Sequence, residues 1–469
     1  MKKLFILGVL AAVAIGFSAC GGGEAPSPSP NEQFKVGGTA SGLGCAGSSL
    51  VLQLNGANDL TLNTDGSFEF DTLINNGSNY AVAVKTQPSG AVCSVTNGSG
   101  KISGSDITTV TVSCSSNDIV HVDQNIETPT IWEGSKIYVI EAWDFYVDNT
   151  LTIKPGAVIK FQQSDPGLRG ITLGGNGTII ADGLNCPSQI EQVRTPACAP
   201  IIFTSYKDDA HGCDTNGDGQ ATSPASGDWL SVDTNGLNGS IFNNCEFYYG
   251  GGGSKDHTLA ITSGSDHVTV TNSIFAHNKG NTWGTLDAWL AASGTVIQGN
   301  IFYANEKPWL INDTFSVDDS NIFHNPSDPD NPQPNEFNGI FLVNPPEHII
   351  NNIKWEETEV AFVIDSEQLW LVADYTLTLG PDVVIKFAAN RQLVLAAGST
   401  LSIEQRISNY AGPGVWFTSY KDDTLKGDTN GDGSATFPQA NNWLGIWDEA
   451  GGAWFTWQNI KYDSQPPFE

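Results

Sequence analysis

The sequence contains two copies of a short acidic segment, DTNGDG, which begin at Asp214 and Asp428. In each copy the first, third and fifth residues carry side-chain oxygens, and a glycine stands at the sixth position. This spacing directs several oxygen atoms at the centre of a tight loop, and the glycine permits the sharp turn. Ligands that are all oxygens, without histidine or thiolate, favour Ca²⁺ over zinc. The two segments therefore predict two calcium loops.

Further oxygen ligands are expected around each segment, because calcium takes roughly six to eight of them. The sources are the carbonyl at the seventh position and the two aspartates of the preceding SYKDD segment. The resulting candidates are Asp208, Asp209, Asp214, Asn216, Asp218 and Gln220 in the first copy, and Asp422, Asp423, Asp428, Asn430, Asp432 and Ser434 in the second. Asp228 and Asn442, each before a tryptophan, are candidates to close the site.

The match to a known calcium loop is partial. A helix-loop-helix calcium site has glutamate at the twelfth position, whereas this chain has Ala225 or Gln439 there. The alternative is an Asp-, Asn- and Gly-rich turn that holds no metal. Recurrence of the whole block favours calcium, with a mainly structural role of neutralising carboxylates and pinning a long loop.

Each acidic segment belongs to a longer repeat. Residues 203–232 match residues 417–446, and upstream of them TLTIKPGAVIKF matches TLTLGPDVVIKF, at 150–161 and 376–387. The first copy is longer between these blocks, and the extra residues fit the segment from Cys186 to Cys198, which we interpret as a surface loop.

A shorter sequence repeat lies between the two long copies. The segments NNCEF, TNSIF, GNIF and SNIF place asparagines at positions 244, 272, 300 and 321, and apolar pairs such as Ile274–Phe275 and Ile301–Phe302 follow, with further asparagines at 278, 305 and 325. Units of this length fit the rungs of a parallel β-helix, in which apolar pairs stack inward and asparagines stack along a turn. A glycan-binding row is the alternative interpretation of the asparagines.

The repeated blocks, the GDW segment and the N-x-x-F rungs resemble right-handed parallel β-helix proteins of the pectin-lyase-like superfamily found on bacterial surfaces. The resemblance covers about residues 118–469, as two related repeats at about 118–345 and 346–469. The acidic segment is similar in its first half to dockerin and thrombospondin-type loops. Because the superfold carries lyases, hydrolases, adhesins and spike proteins, the resemblance implies a fold rather than an activity.

The preceding residues 34–116 have short strand-like runs separated by turn signals, which predict a small β-sandwich. They resemble a bacterial immunoglobulin-like module, which implies a spacer or binding unit. The predicted fold is therefore all-β, with a small β-sandwich followed by a right-handed parallel β-helix.

The first 20 residues have the charged, apolar and small-residue regions of an export signal. FSAC resembles the bacterial lipobox, which implies that Cys20 becomes the lipidated first residue; an ordinary cleaved signal is the alternative. Residues 21–33 are low in complexity and predict a flexible tether. Together with Gly21 these features place the protein in the bacterial cell envelope, lipid-anchored at the outer membrane or cell surface.

The formal net charge of −30 argues against nucleic acid, anionic membrane surfaces and polyanionic substrates as direct partners, unless a cation bridges them. The cysteines fit an oxidising compartment. The expected pairs are Cys93 with Cys114 and Cys186 with Cys198. Cys213 and Cys245 form a third candidate pair, which leaves Cys45 over.

Two functions fit these features. The first is binding or adhesion to a glycan or another surface protein by a lipid-anchored, calcium-stabilised β-helix. The second is a calcium-assisted polysaccharide lyase or glycoside hydrolase, with a base among Lys255, Lys279, Lys307, His257, His267 and His277 beside Asp208 or Asp209. The Gly-His-Gly and Arg-x-Lys segments of β-helix polygalacturonases are absent from the sequence, which favours the first function.

Tryptophans allow two interpretations, sugar binding or core packing and capping. They are Trp283, Trp289 and Trp309 among the rungs, and Trp443, Trp447, Trp454 and Trp457 near the end.

Overall fold

A computed structural model describes residues 31–465 except for 44–48, 89–90, 117–118, 164–166, 184–198, 219–220, 235–238, 262–266, 293, 314–315, 343–346, 366–367 and 405–413. The described residues form β-strands and no α-helix, which confirms the all-β prediction. Their contacts divide the chain into two compact units, and Ser115–Glu469 belongs to the second.

The first unit is built on ten short strands that pair into two four-stranded sheets and one two-stranded sheet. The strands are β1 (Gln33–Phe34), β2 (Val36–Ser41), β3 (Leu50–Leu54), β4 (Asn58–Leu62), β5 (Gly66–Glu69), β6 (Ile74–Asn75), β7 (Asn79–Thr86), β8 (Ala91–Thr96), β9 (Ser99–Lys101) and β10 (Ile107–Ser116). The four-stranded sheets have the orders β5-β2-β10-β8 and β4-β3-β7-β9, and β1 pairs with β6.

One apolar core is shared by the two four-stranded sheets. Leu50, Leu52 and Leu54 alternate inward from β3, and Val110 and Val112 do so from β10. This arrangement agrees with the predicted small β-sandwich. The predicted disulfide between Cys93 and Cys114 is present and joins the neighbouring strands β8 and β10.

The second unit begins with strands that recur in threes. They are β11 (Ile119–Val122), β12 (Thr130–Trp132), β13 (Ile137–Ile140), β14 (Phe145–Val147), β15 (Thr150–Ile153), β16 (Val158–Phe161), β17 (Ile171–Leu173), β18 (Thr178–Asp182), β19 (Ile201–Ser205), β20 (Val232–Thr234), β21 (Ile241–Asn243), β22 (Cys245–Tyr248), β23 (Leu259–Ile261), β24 (Thr269–Thr271), β25 (Ile274–Ala276), β26 (Leu286–Ala288), β27 (Val296–Gln298), β28 (Ile301–Tyr303) and β29 (Trp309–Ile311).

The remaining strands continue the same unit. They are β30 (Gly339–Leu342), β31 (Glu347–Ile349), β32 (Ile353–Trp355), β33 (Ala361–Ile364), β34 (Leu369–Leu371), β35 (Thr376–Leu379), β36 (Val384–Phe387), β37 (Gln392–Leu395), β38 (Thr400–Ile403), β39 (Trp416–Ser419), β40 (Gly445–Asp448) and β41 (Ala453–Trp454).

Apart from β11 with β13 and β29 with β30, every third strand pairs in parallel, so the chain winds through three walls as a parallel β-helix. Sheet I has the order β11-β13-β16-β19-β22-β25-β28, sheet II β14-β17-β20-β23-β26-β29-β30-β33-β36-β39, and sheet III β12-β15-β18-β21-β24-β27. Sheets IV (β31-β34-β37-β40-β41) and V (β32-β35-β38) accompany sheet II in its later part, and only β41 pairs antiparallel among these strands.

Inward side chains from successive rungs stack on each other. Phe203, Phe247, Phe275 and Phe302 form a continuous pile along sheet I, with neighbouring ring centroids 4.7 to 5.1 Å apart. All four are fully buried. In-register parallel pairing places the same position of each rung directly above the last, and burial of these rings drives the stacking.

Asparagine ladders are present, but their register differs from the prediction at two places. Asn278, Asn305 and Asn335 bond in sequence along one turn, so Asn335 rather than Asn325 continues the row. In the other row Asn300 donates a hydrogen bond to Asn321 Oδ1. The two preceding rungs have Ser273 and Cys245 at the position that Asn300 occupies in its rung. The predicted Asn244 and Asn272 instead adopt left-handed backbone, with φ of 52° and 50°.

This register explains the state of Cys245. Its side chain points inward as one step of a ladder, and it is a free, fully buried thiol. Cys213 is disulfide-bonded, so the predicted pairing of Cys213 with Cys245 is wrong. Cys20, Cys45, Cys186 and Cys198 lie outside the described residues.

Equivalent strands of the two repeats lie in different walls. The VIKF strand is β16 of sheet I in the first repeat and β36 of sheet II in the second. The strands before the acidic segments follow the same rule, with β19 in sheet I and β39 in sheet II. The second copy is therefore displaced around the β-helix by one wall.

Candidate metal centre

The first acidic loop leaves sheet I after β19 and returns to the β-helix at β20. It folds back over the outer face of the sheet, where the outward side chain of β16 is Lys160. This lysine is fully buried, and its ammonium group donates to the carbonyl oxygens of Asp208, at 2.7 Å, and Cys213. A charged strand residue thus anchors the loop backbone.

Asp208 shapes the turn that follows β19. Its Oδ2 accepts a hydrogen bond from Thr204 Oγ1 at 2.5 Å and lies 2.7 Å from His211 Nδ1, while its Oδ1 accepts from the Ala210 N–H. Hydrogen bonds from His211 and Thr204 outweigh the opposite effect of burial and lower the pKa of Asp208. Its carboxylate is therefore occupied by protein donors.

The neighbouring Asp209 faces the acidic segment instead. One oxygen each from Asp209, Asp214 and Asp218 lie within 4.8 Å of one another. Asp209 Oδ1 is buried and has no hydrogen-bond partner. Burial, and next the charge of Asp214, raise the pKa of Asp209. Three of the predicted ligands thus converge on one point, and one of them holds an unsatisfied acceptor.

Local hydrogen bonds set the shape of the segment. The Gly217 N–H donates to Asp214 Oδ1 at 2.7 Å, and Gly217 has a φ of 73°, which glycine adopts without strain. Asn216 donates through Nδ2 to Asp218 Oδ2 at 3.0 Å, and the Thr222 hydroxyl donates to the same oxygen at 2.5 Å. The hydrogen bond from Thr222 lowers the pKa of Asp218. Gln220 lies outside the described residues.

The second loop repeats this construction on sheet II. Asp422 accepts from Thr418 at 2.8 Å, and Lys386 donates to the carbonyl of Gly427 at 2.6 Å. Asp423 Oδ1 is again buried without a hydrogen-bond partner, as is Asn430 Oδ1. Burial, followed by the charge of Asp428, raises the pKa of Asp423.

Asp428 organises the second segment through backbone donors. Its Oδ1 accepts from the N–H groups of Asn430 and Gly431 at 3.0 and 2.8 Å, and its Oδ2 from Gly433 at 2.6 Å. Asp432 accepts from Thr436 Oγ1 at 2.5 Å, which lowers its pKa. The seventh-position residue, Ser434, is exposed.

Asp228 and Asn442 serve other contacts. Asp228 accepts from Ser205 at 2.8 Å and pairs with Lys207 at 3.0 Å, and Asn442 Oδ1 accepts from the Gln439 N–H at 2.7 Å. Both residues close the ends of their loops through the protein's own donors.

Two lysines at this site were not singled out from the sequence. Burial lowers the pKa of both Lys160 and Lys386 to about 8, partly offset by the aspartates nearby. The available signal was a lysine at the same place in two otherwise apolar VIKF strands. A charge retained in both copies of a buried strand indicates a specific partner, because unpaired buried ammonium groups are costly.

The donor set fits a hard divalent cation. The groups are carboxylate and amide oxygens. The buried Oδ1 atoms of Asp209 and Asp423 have no hydrogen-bond donor. Burial and neighbouring carboxylates raise the pKa of both aspartates. A cation bound among these carboxylates removes both the repulsion and the unsatisfied acceptor.

Three of the predicted catalytic bases contact groups other than Asp208 and Asp209. Lys255 Nζ is 2.5 Å from Asp233 Oδ2, and His257 Nε2 is 3.0 Å from Asp233 Oδ1. Lys307 lies over the rings of Phe341 and Phe337.

The other three bases show different surroundings. The side chain of Lys279 packs near Gly227, and His267 packs near Gly294. His277 lies between Tyr249 and Tyr303, with ring centroids 5.7 Å from each.

Asp233 and Asp287 form a second acidic pair, on the outer face of sheet II. His257 lies between them, with Nδ1 3.7 Å from Asp287 Oδ2. Burial opposes ionisation of both groups, but hydrogen bonds from His257 and Lys255 lower the pKa of Asp233 to about 2. Burial raises the pKa of Asp287 to about 6. Asp233 is thus ionised at neutral pH, whereas Asp287 titrates just below it.

The tryptophans divide between core and surface. Trp309 and Trp443 are fully buried, and Trp443 stacks on Phe387 with centroids 4.2 Å apart. Trp457 is also buried, and Trp447 meets Trp454 edge-on across the last strand pair. Trp283 and Trp289 are half-buried and stack on each other.

Comparisons with protein-family models, curated proteins and solved structures found no match to this chain. Within the described ranges, no helix has the length and apolar character needed to cross a bilayer.

Proposed function

We propose that this chain is a lipid-anchored, calcium-stabilised cell-surface protein whose β-helix binds a glycan or another surface protein. The observation that carries the calcium part is the first loop, in which the carboxylates of Asp209, Asp214 and Asp218 converge and the buried Asp209 Oδ1 has no donor. The second loop, on another wall, repeats the unpartnered aspartate oxygen at Asp423.

The protein's own groups prepare both loops for a cation. Lys160 and Lys386 fix the loop backbones from beneath, and Asp208 and Asp422 form the entering turns. Calcium, when bound, supplies the positive charge that the clustered carboxylates lack. The loops then stay closed over the outer faces of sheets I and II.

The binding part of the proposal draws on other features. The export signal and Cys20 indicate an envelope location, and the acidic surface suits solvent exposure and selects against polyanionic partners. The sequence lacks the polygalacturonase segments, and Lys255 and His257 bind Asp233 rather than the acidic loops. These observations favour a binding protein over a calcium-assisted lyase or hydrolase.

Thermal unfolding of a form lacking residues 1–20 tests the calcium part. We expect calcium to raise the melting temperature relative to EGTA, by a stabilisation of about 2.7 kcal/mol for each occupied loop at 100 times its dissociation constant. Asp214→Asn and Asp428→Asn should each remove part of this increase, and the double variant most of it, because each removes a carboxylate from one loop.

Asp123→Asn is the matched control, since Asp123 is exposed and remote in sequence from both loops. It should retain the full response to calcium. Equal melting temperatures in calcium and EGTA for the unsubstituted protein would refute the calcium proposal.

A further inference from the structure

A stack of two aromatic rings lies next to the Asp233–His257–Asp287 group. Asp287 is the outward residue of β26, and Trp289, in the turn that follows, packs against Leu310, the strand neighbour of Asp287. The backbone N–H of Trp289 donates a hydrogen bond to Asp287 Oδ1 at 3.0 Å. Trp283 stacks on Trp289 with centroids 5.4 Å apart and planes 18° from parallel. Both rings are half-buried, and the adjoining Leu290 is 40% exposed.

The segments that carry the two rings are held in place. Asp256 accepts hydrogen bonds from the N–H groups of Asn281 and Thr282, at 3.3 and 2.6 Å, and so fixes the turn before Trp283. Asn312 donates to the carbonyl of Trp289 at 2.9 Å. An aromatic surface fixed in this way loses little conformational entropy when a ligand binds.

A polar side-chain atom near Asp287 has no hydrogen-bond partner. His257 Nδ1 is buried without a hydrogen-bond partner and faces Asp287 Oδ2 across 3.7 Å. Ala260 stands between Asp233 and Asp287 in the strand register, and the imidazole of His257 occupies the gap between the two carboxyl groups. A flat apolar surface flanked by an acceptor and an unsatisfied imidazole nitrogen suits a ring with one apolar face and hydroxyl groups at its edge.

The charges select among such ligands. Asp256 and Asp287 accept hydrogen bonds from the segments that carry the stack, and Asp233 lies beyond His257. Lys255 is held by Asp233, and Lys307 is 7% exposed and lies over the rings of Phe337 and Phe341. A chain of uronates would be repelled by these carboxylates. A neutral sugar meets no such repulsion.

We propose that Trp283, Trp289 and Asp287 form a binding site for a neutral saccharide on the outer face of sheet II, with His257 as a second polar contact. This inference rests on the proposed binding function and identifies its site and ligand class. Its evidence is separate from that for calcium, although the stack belongs to an apolar cluster that includes Tyr420 of the second loop.

Calorimetric titration of the form lacking residues 1–20 tests the site. The probes are the hexasaccharides of cellulose, starch, xylan and mannan, with hexagalacturonate as the charged comparison. We expect at least one neutral hexasaccharide to bind and hexagalacturonate not to bind. Trp289→Ala should weaken neutral binding at least tenfold, and Asp287→Asn and Trp283→Phe should weaken it by smaller factors.

Trp143→Ala is the control, because Trp143 is 47% exposed and packs against Arg169 away from the stack. It should bind as the unsubstituted protein does. If Trp289→Ala fails to fold, the two milder variants decide the matter in its place.

Three results overturn the inference: no neutral hexasaccharide binds the folded protein, hexagalacturonate binds more tightly, or the variants at the stack bind normally. Normal binding by the variants would leave the proposed glycan-binding function intact at another site. If the variants lose binding while the melting temperature of the protein is the same in calcium and in EGTA, the calcium proposal is refuted and the saccharide site is still supported.

Discussion

Adjacent aspartates in the acidic loops have different structural roles, which cannot be inferred from their spacing in the sequence. Asp208 and Asp209 are neighbours in SYKDD, yet the first binds Thr204 and His211 while the second faces the acidic segment. The direction in which each carboxylate points depends on the turn after β19. Sequence reasoning identified the oxygen-rich segment, but it could not assign these two duties.

Glu357 is a buried carboxyl group that sequence reasoning did not predict. It is fully buried, its Oε2 has no hydrogen-bond partner, and burial raises its pKa to about 8. The folded protein therefore binds a proton here at pH 7, where an unfolded glutamate, with a pKa of about 4.3, does not. The stability from this group is complete below the unfolded pKa and is lost as pH rises through about 8.

Glu357→Gln should flatten this part of the pH dependence, because glutamine cannot ionise. We expect the free energy of unfolding of the variant minus that of the unsubstituted protein to be at least about 1 kcal/mol larger at pH 8 than at pH 5, so that the variant is relatively more stable at pH 8. Urea denaturation at both pH values measures it. The exposed Glu449→Gln serves as the control, and parallel pH profiles for Glu357→Gln and the unsubstituted protein would contradict the assignment.

At the scale of the element, the β-helix rung was predictable and its register was not. Repeated apolar pairs and asparagines indicated rungs, and the structure has them. Adjacent asparagines in NNCEF and TNSIF left a one-residue ambiguity, however. The left-handed backbone at Asn244 and Asn272 resolves it, since that conformation turns the chain and leaves the next residue to enter the ladder.

Asn305 is the middle member of its ladder. It donates to Phe275 O and Asn335 Oδ1, and its Oδ1 accepts from the backbone and side chain of Asn278. Asn305→Ala leaves these buried groups unpaired, and we expect a loss of about 2–4 kcal/mol in the free energy of unfolding. Urea denaturation measures the loss.

Asn331→Ala is the comparison for that experiment. Asn331 is exposed and lies outside the ladder, so its replacement should change stability by less than about 0.5 kcal/mol. Equal effects of the two substitutions would show that the ladder does not stabilise the rungs.

For the whole molecule, sequence similarity located the two repeats but not their orientation. The VIKF strands are identical, so nothing local to them specifies a wall. The number of strands wound between the copies determines the wall, and that number depends on the irregular chain between β29 and β30, which pair directly. The change of wall is therefore a property of the connecting segment.

The division into two units, each with its own core, makes the Cys93–Cys114 disulfide a local stabiliser. The bond spans 21 residues, and a loop of that size predicts a loss of about 3 kcal/mol when it is removed. Replacing both cysteines by alanine should lower the unfolding temperature of the first unit and leave that of the second unchanged.

Differential scanning calorimetry in calcium separates the two transitions. Ser94→Ala, a neighbouring exposed substitution on β8, is the control and should move neither. A shift of both transitions by the double cysteine replacement would show that the units unfold together.

The change of wall between the repeats also determines the valency of the protein. The two acidic loops emerge from different sheets, the first after β19 of sheet I and the second after β39 of sheet II. A partner that recognises such a loop meets two copies of its epitope, presented at different angles around one axis. Bivalent attachment then favours flexible or branched partners that can reach both copies, and a rigid flat partner engages one copy at a time.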